Sequence, residues 1–112
     1  MGTFTRESSH GIPQFDGGPG FQNWSYRVKM FLDSAGVLKT LTENSPAVEA
    51  EKPKFDEADR KAKAHIVGFL ANEVLEVVRE KNSAKEMWKA LENTFVKKSI
   101  GTQNLLRKQL NR

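Results

Sequence analysis

The side chains able to do chemistry in this sequence are few and far apart. His10 and His65 are its two histidines, and cysteine is absent. Neither histidine has another four residues away, the spacing that sets two metal ligands on one helix face, so no metal ligand is assigned. His65 falls inside an apolar helical stripe and is expected at the edge of a core. Asp33-Ser34-Ala35-Gly36 loosely follows the Asp-Ser/Thr-Gly signature of aspartic proteases, but the glycine comes one place late and no apolar strand flanks it. Gly17-Gly18-Pro19-Gly20 lacks the Lys-Ser/Thr that completes a phosphate loop, and no strand precedes it. Asp56, Glu57 and Asp59 are interleaved with Arg60, Lys61 and Lys63. That pattern fits the first turns of a helix with ion pairs along a solvated face. No catalytic residue, cofactor or small-molecule substrate is expected, and the chain does not read as an enzyme.

The elements that would hold any site are helices. Phe21, Trp24, Val28, Phe31, Leu32 and Ala35 repeat at three-and-four spacing, which lines them along one helix face, and Gly36 is placed to end that helix. Val37, Leu38 and Leu41 continue a short apolar segment before a polar loop over Thr42 to Lys54, where Pro46 and Pro53 discourage helix. A second stripe runs through Ala58, Ala62, His65, Ile66, Phe69 and Leu70. Val74, Leu75, Val77 and Val78 suggest a short buried helix, with a strand as the alternative that period alone leaves open. At Ser83-Ala84-Lys85-Glu86 the Ser83 side chain can accept from the Glu86 N–H while the Glu86 carboxylate returns to the Ser83 N–H, a capping box. The helix begun there carries Ala84, Met87, Trp88, Leu91 and Phe95. A last helical stretch follows with Leu105, Leu106 and Leu110.

Composition limits what this can build. A chain of 112 residues, 38% of them hydrophobic, supports one compact core. Residues 1–14 are expected to be a flexible tail, with Ile12 and Phe15 the apolar residues of the first twenty able to dock, and residues 15–112 a single all-α domain. Trp24, Phe31, Ile66, Phe69, Trp88, Leu91 and Phe95 are the expected core, since aromatics on helical stripes pack inward more often than they stack on bases. Without cysteine there is no disulfide framework, thiolate zinc site or cysteine nucleophile. No apolar run approaches a membrane span, no signal segment is visible, and Arg6 stands where a myristoylation signal needs Ser or Thr, so a cytoplasmic protein is expected. The formal net charge is +4. Five basic residues and no acidic one lie between Lys97 and Arg112, a distribution that suits either a helix C-terminus or contact with phosphates.

Three blocks resemble copia-type Gag polypeptides. FDGGPGFQNW leading into SYRVKMFLDSAGVLKTL resembles the family's opening, through Phe15, Gly17, Phe21, Trp24, Val28, Leu32 and Leu38. DRKAKAHIVGFLANEVLEVV is similar to its second helical unit. SAKEMWKALENTFVKKSIGTQNLLRKQL is similar to its most recognisable segment, through Ala84, Trp88, Leu91, Phe95, Lys98, Ser99, Leu105, Arg107 and Leu110. The turn before Phe21 is one residue longer than the usual form, and Phe21 stands where Tyr is common.

The resemblance implies the N-terminal part of a capsid: a bundle of about five helices that contacts other Gag chains, or copies of itself, in a particle around RNA. Exposed faces of the first helix and the basic C-terminal end would supply the contacts, with Lys97, Lys98, Arg107 and Lys108 facing RNA or a partner. In the family a second capsid domain and often a Cys/His zinc knuckle follow, neither of which is among these residues. That difference favours an alternative, a truncated or domesticated Gag-derived module that binds a host protein or a cognate Gag without assembling. A plain nucleic-acid-binding domain is a third possibility, with affinity falling steeply as salt rises.

Overall fold

A cluster of chain breakers followed by an uninterrupted apolar stripe decides where the first helix begins. The computed structural model describes residues 10–96. Helix α1 spans Phe21–Ser34, directly after Gly20, whose φ of 94° lies in the left-handed region that glycine enters without steric cost. It buries Phe21, Trp24, Ser25, Val28 and Leu32 along one face. Gly36, at φ 79°, ends it as its position in the sequence predicts. The Gly36 N–H donates to the Asp33 carbonyl at 3.0 Å and the Val37 N–H to the Leu32 carbonyl at 2.9 Å. This is a Schellman closure, and Val37 and Leu32 are both buried beneath it. A 3-10 turn, Leu38–Leu41, then buries Thr40 and Leu41.

Pro53 does not extend the polar loop to Lys54 as expected. It stands in the first turn of α2, Lys52–Gly68, where a missing N–H costs no intrahelical bond. A 3-10 turn, Glu49–Glu51, leads into that helix. α2 buries Ala62 and Ile66. α3, Asn72–Val78, buries Val74 and Val78 and settles the helix-or-strand question at that segment in favour of helix. α4, Ala84–Leu91, buries Ala84, Met87, Trp88 and Leu91, and a π turn over Glu92–Val96 follows it. The described residues therefore hold four α-helices, not about five, and no named strand. The expected stretch around Leu105 to Leu110 lies outside them.

Helix ends leave carbonyls without intrahelical donors, and the end of α2 is where the chain is tied together. The Phe69 carbonyl accepts from the Phe15 N–H at 2.9 Å and from the Trp24 indole Nε1–H at 3.1 Å. The Ala71 N–H donates to the Phe15 carbonyl at 2.9 Å, completing an isolated parallel bridge between Phe15 and Leu70. Around this junction the aromatic rings interlock. Phe15 lies 5.3 Å from both Phe21 and Trp24, Phe95 meets Phe15 edge-on at 4.8 Å, and Trp24 stacks on Trp88 at 5.6 Å and 17°.

Of the residues expected in the core, Trp24, Ile66, Phe69, Trp88 and Leu91 are buried, while Phe31 and Phe95 are half-buried and pack against it from the edge. Ile12, within the segment expected as a tail, is 5% exposed and belongs to the same core. The turn at Gly17 approaches closely. A Cβ there would meet Val74 Cγ2 at 3.6 Å and Phe95 Cε1 at 3.7 Å, and the φ of 92° would be strained for any other residue.

The two tryptophans differ in one respect that can be measured. Trp24 donates its indole N–H, whereas the buried Nε1 of Trp88 has no partner among the described residues. Both Trp→Phe substitutions remove similar packing, so Trp24→Phe is expected to cost about 1 kcal/mol more than Trp88→Phe. Urea unfolding of the two variants against the parent chain measures the difference.

Candidate interaction surfaces

None of the weak chemical candidates assembles into a reactive centre. Ser34 Oγ donates to the Phe31 carbonyl at 2.8 Å, so Asp33-Ser34 is a helix end. Gly18 donates its N–H to Asp16 Oδ1 at 3.0 Å, so the glycine run is a turn closed on its own aspartate. Among the described residues no three His, Asp or Glu side chains are grouped to hold a metal ion.

The acidic cluster on α2 divides. Glu57 lies 4.0 Å from Lys61 on an exposed face, as the sequence suggests. Asp59 does something the sequence does not reveal: its Oδ1 accepts from the Ala84 N–H at 2.9 Å, capping a helix 25 residues away. Lys63, one turn further along α2, has its ammonium 3.6 Å from Asp59 Oδ2 and donates to the Asn82 carbonyl at 3.0 Å. Ser83 Oγ accepts from the Glu86 N–H at 3.1 Å as expected. The Glu86 carboxylate, however, accepts from the Asn82 N–H at 3.0 Å and not from Ser83. Two free N–H groups at the start of α4 are thus capped, one by a local serine and one by a distant aspartate.

His65 faces an aromatic edge. Its ring lies 4.8 Å from Phe31 and 6.3 Å from Phe69, and His10 packs on Phe31 as well, at 4.6 Å. Partial burial, then the nearby His10, then Lys61 hold the His65 pKa below its ordinary 6.5.

Two surface features stand out among the described residues. On the outer face of α1, Tyr26 is 66% and Met30 50% exposed, one helical turn apart. Between α1, the Leu38–Leu41 turn and α4 lies a groove of about 800 Å³. Leu38, Leu41 and Trp88 give it apolar lining, and Lys29, Lys39, Lys85 and Lys89 surround that lining against two carboxylates, Asp33 and Glu92. The Lys29 ammonium sits 5.9 Å from the centre of the Trp88 ring, within range of a cation–π attraction.

The family model for the gag polypeptide of copia-type LTR elements matches residues 28–112. The chain belongs to the copia-type gag family. Among its relatives is the retrovirus-related Pol polyprotein from transposon TNT 1-94 of Nicotiana tabacum, 26% identical over 100 residues. That match covers 88% of this chain and 8% of the relative, so the gag domain spans under a tenth of that polyprotein's length. No solved structure matches it. Gag-type domains are a structural, non-catalytic family.

The contact residues expected at the basic end of this gag domain, Lys97, Lys98, Arg107 and Lys108, lie outside the described residues. The lysine-rimmed groove escapes sequence reasoning because its cations come from α1, a 3-10 turn and α4, and each alone resembles an ordinary solvated residue. The Asp59 cap escapes it for the same reason, since a bond across 25 residues has no local signal.

Two stability tests follow. Asp59→Ala is expected to cost about 1–2 kcal/mol in urea unfolding, through loss of a cap and its hydrogen bond. Because the His65 pKa is lowered in the folded gag domain, the unfolded chain takes up the proton first as pH falls. The stability linked to His65 is therefore present above pH 6.5 and is lost as pH falls from there through the folded pKa. His65→Gln should flatten that part of the stability profile, read from unfolding midpoints between neutral and mildly acidic pH.

Proposed function

We propose that this chain acts as the N-terminal capsid part of a copia-type Gag, a structural domain that associates with copies of itself around RNA. Membership of the gag family carries the proposal, and the outer face of α1 supports it. Positions 26 and 30 are equidistant from 28. Two copies of α1 laid antiparallel about an axis level with Val28 would therefore bring Tyr26 of each against Met30 of the other. Asn23 and Asp33, also exposed, are equidistant from the same point and would meet as a hydrogen-bonding pair. A thioether on an aromatic ring contributes roughly 0.3–1.5 kcal/mol, so one such contact is weak. A closed or repeating assembly makes many of them at once.

The basic residues Lys97, Lys98, Arg107 and Lys108 are proposed to contact RNA phosphates without regard to sequence. Light scattering coupled to size exclusion, across protein concentration and with negative-stain microscopy of large fractions, tests the self-association. Mass is expected to rise with concentration. Tyr26→Asp is expected to weaken association by about tenfold, or about 1.4 kcal/mol, while leaving the unfolding midpoint unchanged. Replacing the four basic residues by Gln is expected to lower the slope of log affinity for single-stranded RNA against log salt by roughly 3. A chain that stays monomeric at every concentration and salt would overturn the assembly proposal.

A further inference from the structure

The lysine-rimmed groove combines an apolar lining with a cationic rim. Its lining offers Leu38, Leu41 and Trp88, and four ammoniums face two carboxylates around them. An apolar side chain with acidic neighbours is complementary in both respects. The four large apolar side chains exposed among the described residues are Tyr26, Met30, Val48 and Val67. Val48 alone has glutamates about it: Glu43, Glu49 and Glu51 lie within five residues, against one lysine, Lys52. It is 54% exposed and stands in extended conformation, φ −77° and ψ 120°, just before the Glu49–Glu51 turn. Glu49 pairs with Lys52 at 2.9 Å in an ion pair open to solvent, which contributes little and leaves its carboxylate accessible.

We propose that the groove receives the Val48 segment of a second copy of this chain, with the glutamates of that segment facing Lys29, Lys39 and Lys89. This rests on the self-associating role proposed above and names a contact separate from the α1 face. Groove and segment are joined by one short loop: Thr42 lines the groove, Asn44 Oδ1 accepts from Lys85 Nζ at 2.7 Å, and Val48 follows four residues later. The Glu49–Glu51 turn runs straight into α2 at Lys52, so Val48 stands at the entry to that helix. Two copies exchanging these segments reciprocally satisfy a two-fold axis, the commonest closed symmetry.

The chain has no cysteine, so single cysteines report intermolecular contacts without background. Glu49→Cys chains mixed with Lys89→Cys chains and oxidised are expected to form disulfide-linked dimer about tenfold above a control mixture of Glu49→Cys with Glu80→Cys. Alongside, Lys89→Glu and Glu49→Lys should each weaken association about tenfold by light scattering, and the two together in one chain should restore it. Cross-linking no better than control, with the charge reversals silent while the parent chain still associates, overturns this contact and leaves the assembly role standing. A parent chain that is monomeric throughout overturns both.

Discussion

One carbonyl oxygen organises this domain. The Phe69 carbonyl, at the end of α2, takes the Phe15 N–H and the Trp24 indole N–H together. Those two donors come from the segment before α1 and from α1 itself, so a single acceptor fixes three parts of the chain against one another. Both of its lone pairs are used, which suits a group at a helix end that would otherwise be buried without a partner. Once Phe15 is held there, its ring must lie between Phe21, Trp24 and Phe95, and the interlocking of aromatics around it follows. The turn at Gly17, with its φ of 92°, lies against Val74 and Phe95 and carries the chain from Phe15 to α1.

The parts of this arrangement that depend on near neighbours were legible in the sequence. Three-and-four apolar spacing located α1 and α2, Gly36 marked the end of the first, and Ser83 marked the start of α4. Pro53 misled because proline at the first turn of a helix and proline in a loop are the same letter, and only the position of the helix start separates them. Glu86 was seen to fold back on the start of its helix, but it caps Asn82, one residue earlier than the capping-box pattern implies. Asp59 and the bridge at Phe15 were invisible for a different reason: each is a bond between segments dozens of residues apart, decided by how the helices pack.

The surfaces divide along the same line. Tyr26 and Met30 on the outer side of α1 follow from helical periodicity, since the stripe that buries Trp24 and Val28 necessarily turns them outward. The groove has no such signature, because it is made where three elements meet and its charge is a sum over all of them. This copia-type gag domain thus presents two chemically distinct features on its surface, an exposed aromatic–thioether pair and a lysine-rimmed groove. Substitutions at Tyr26, Met30 or the rim lysines are expected to cost folding little, because these side chains lie outside the packed core.

The two indoles of the chain are stacked on each other, 5.6 Å apart and 17° from parallel, with one on α1 and the other on α4. Chromophores this close couple electronically, by an amount set by how the two rings are turned relative to each other. Circular dichroism in the indole bands is therefore sensitive to the relative placement of α1 and α4.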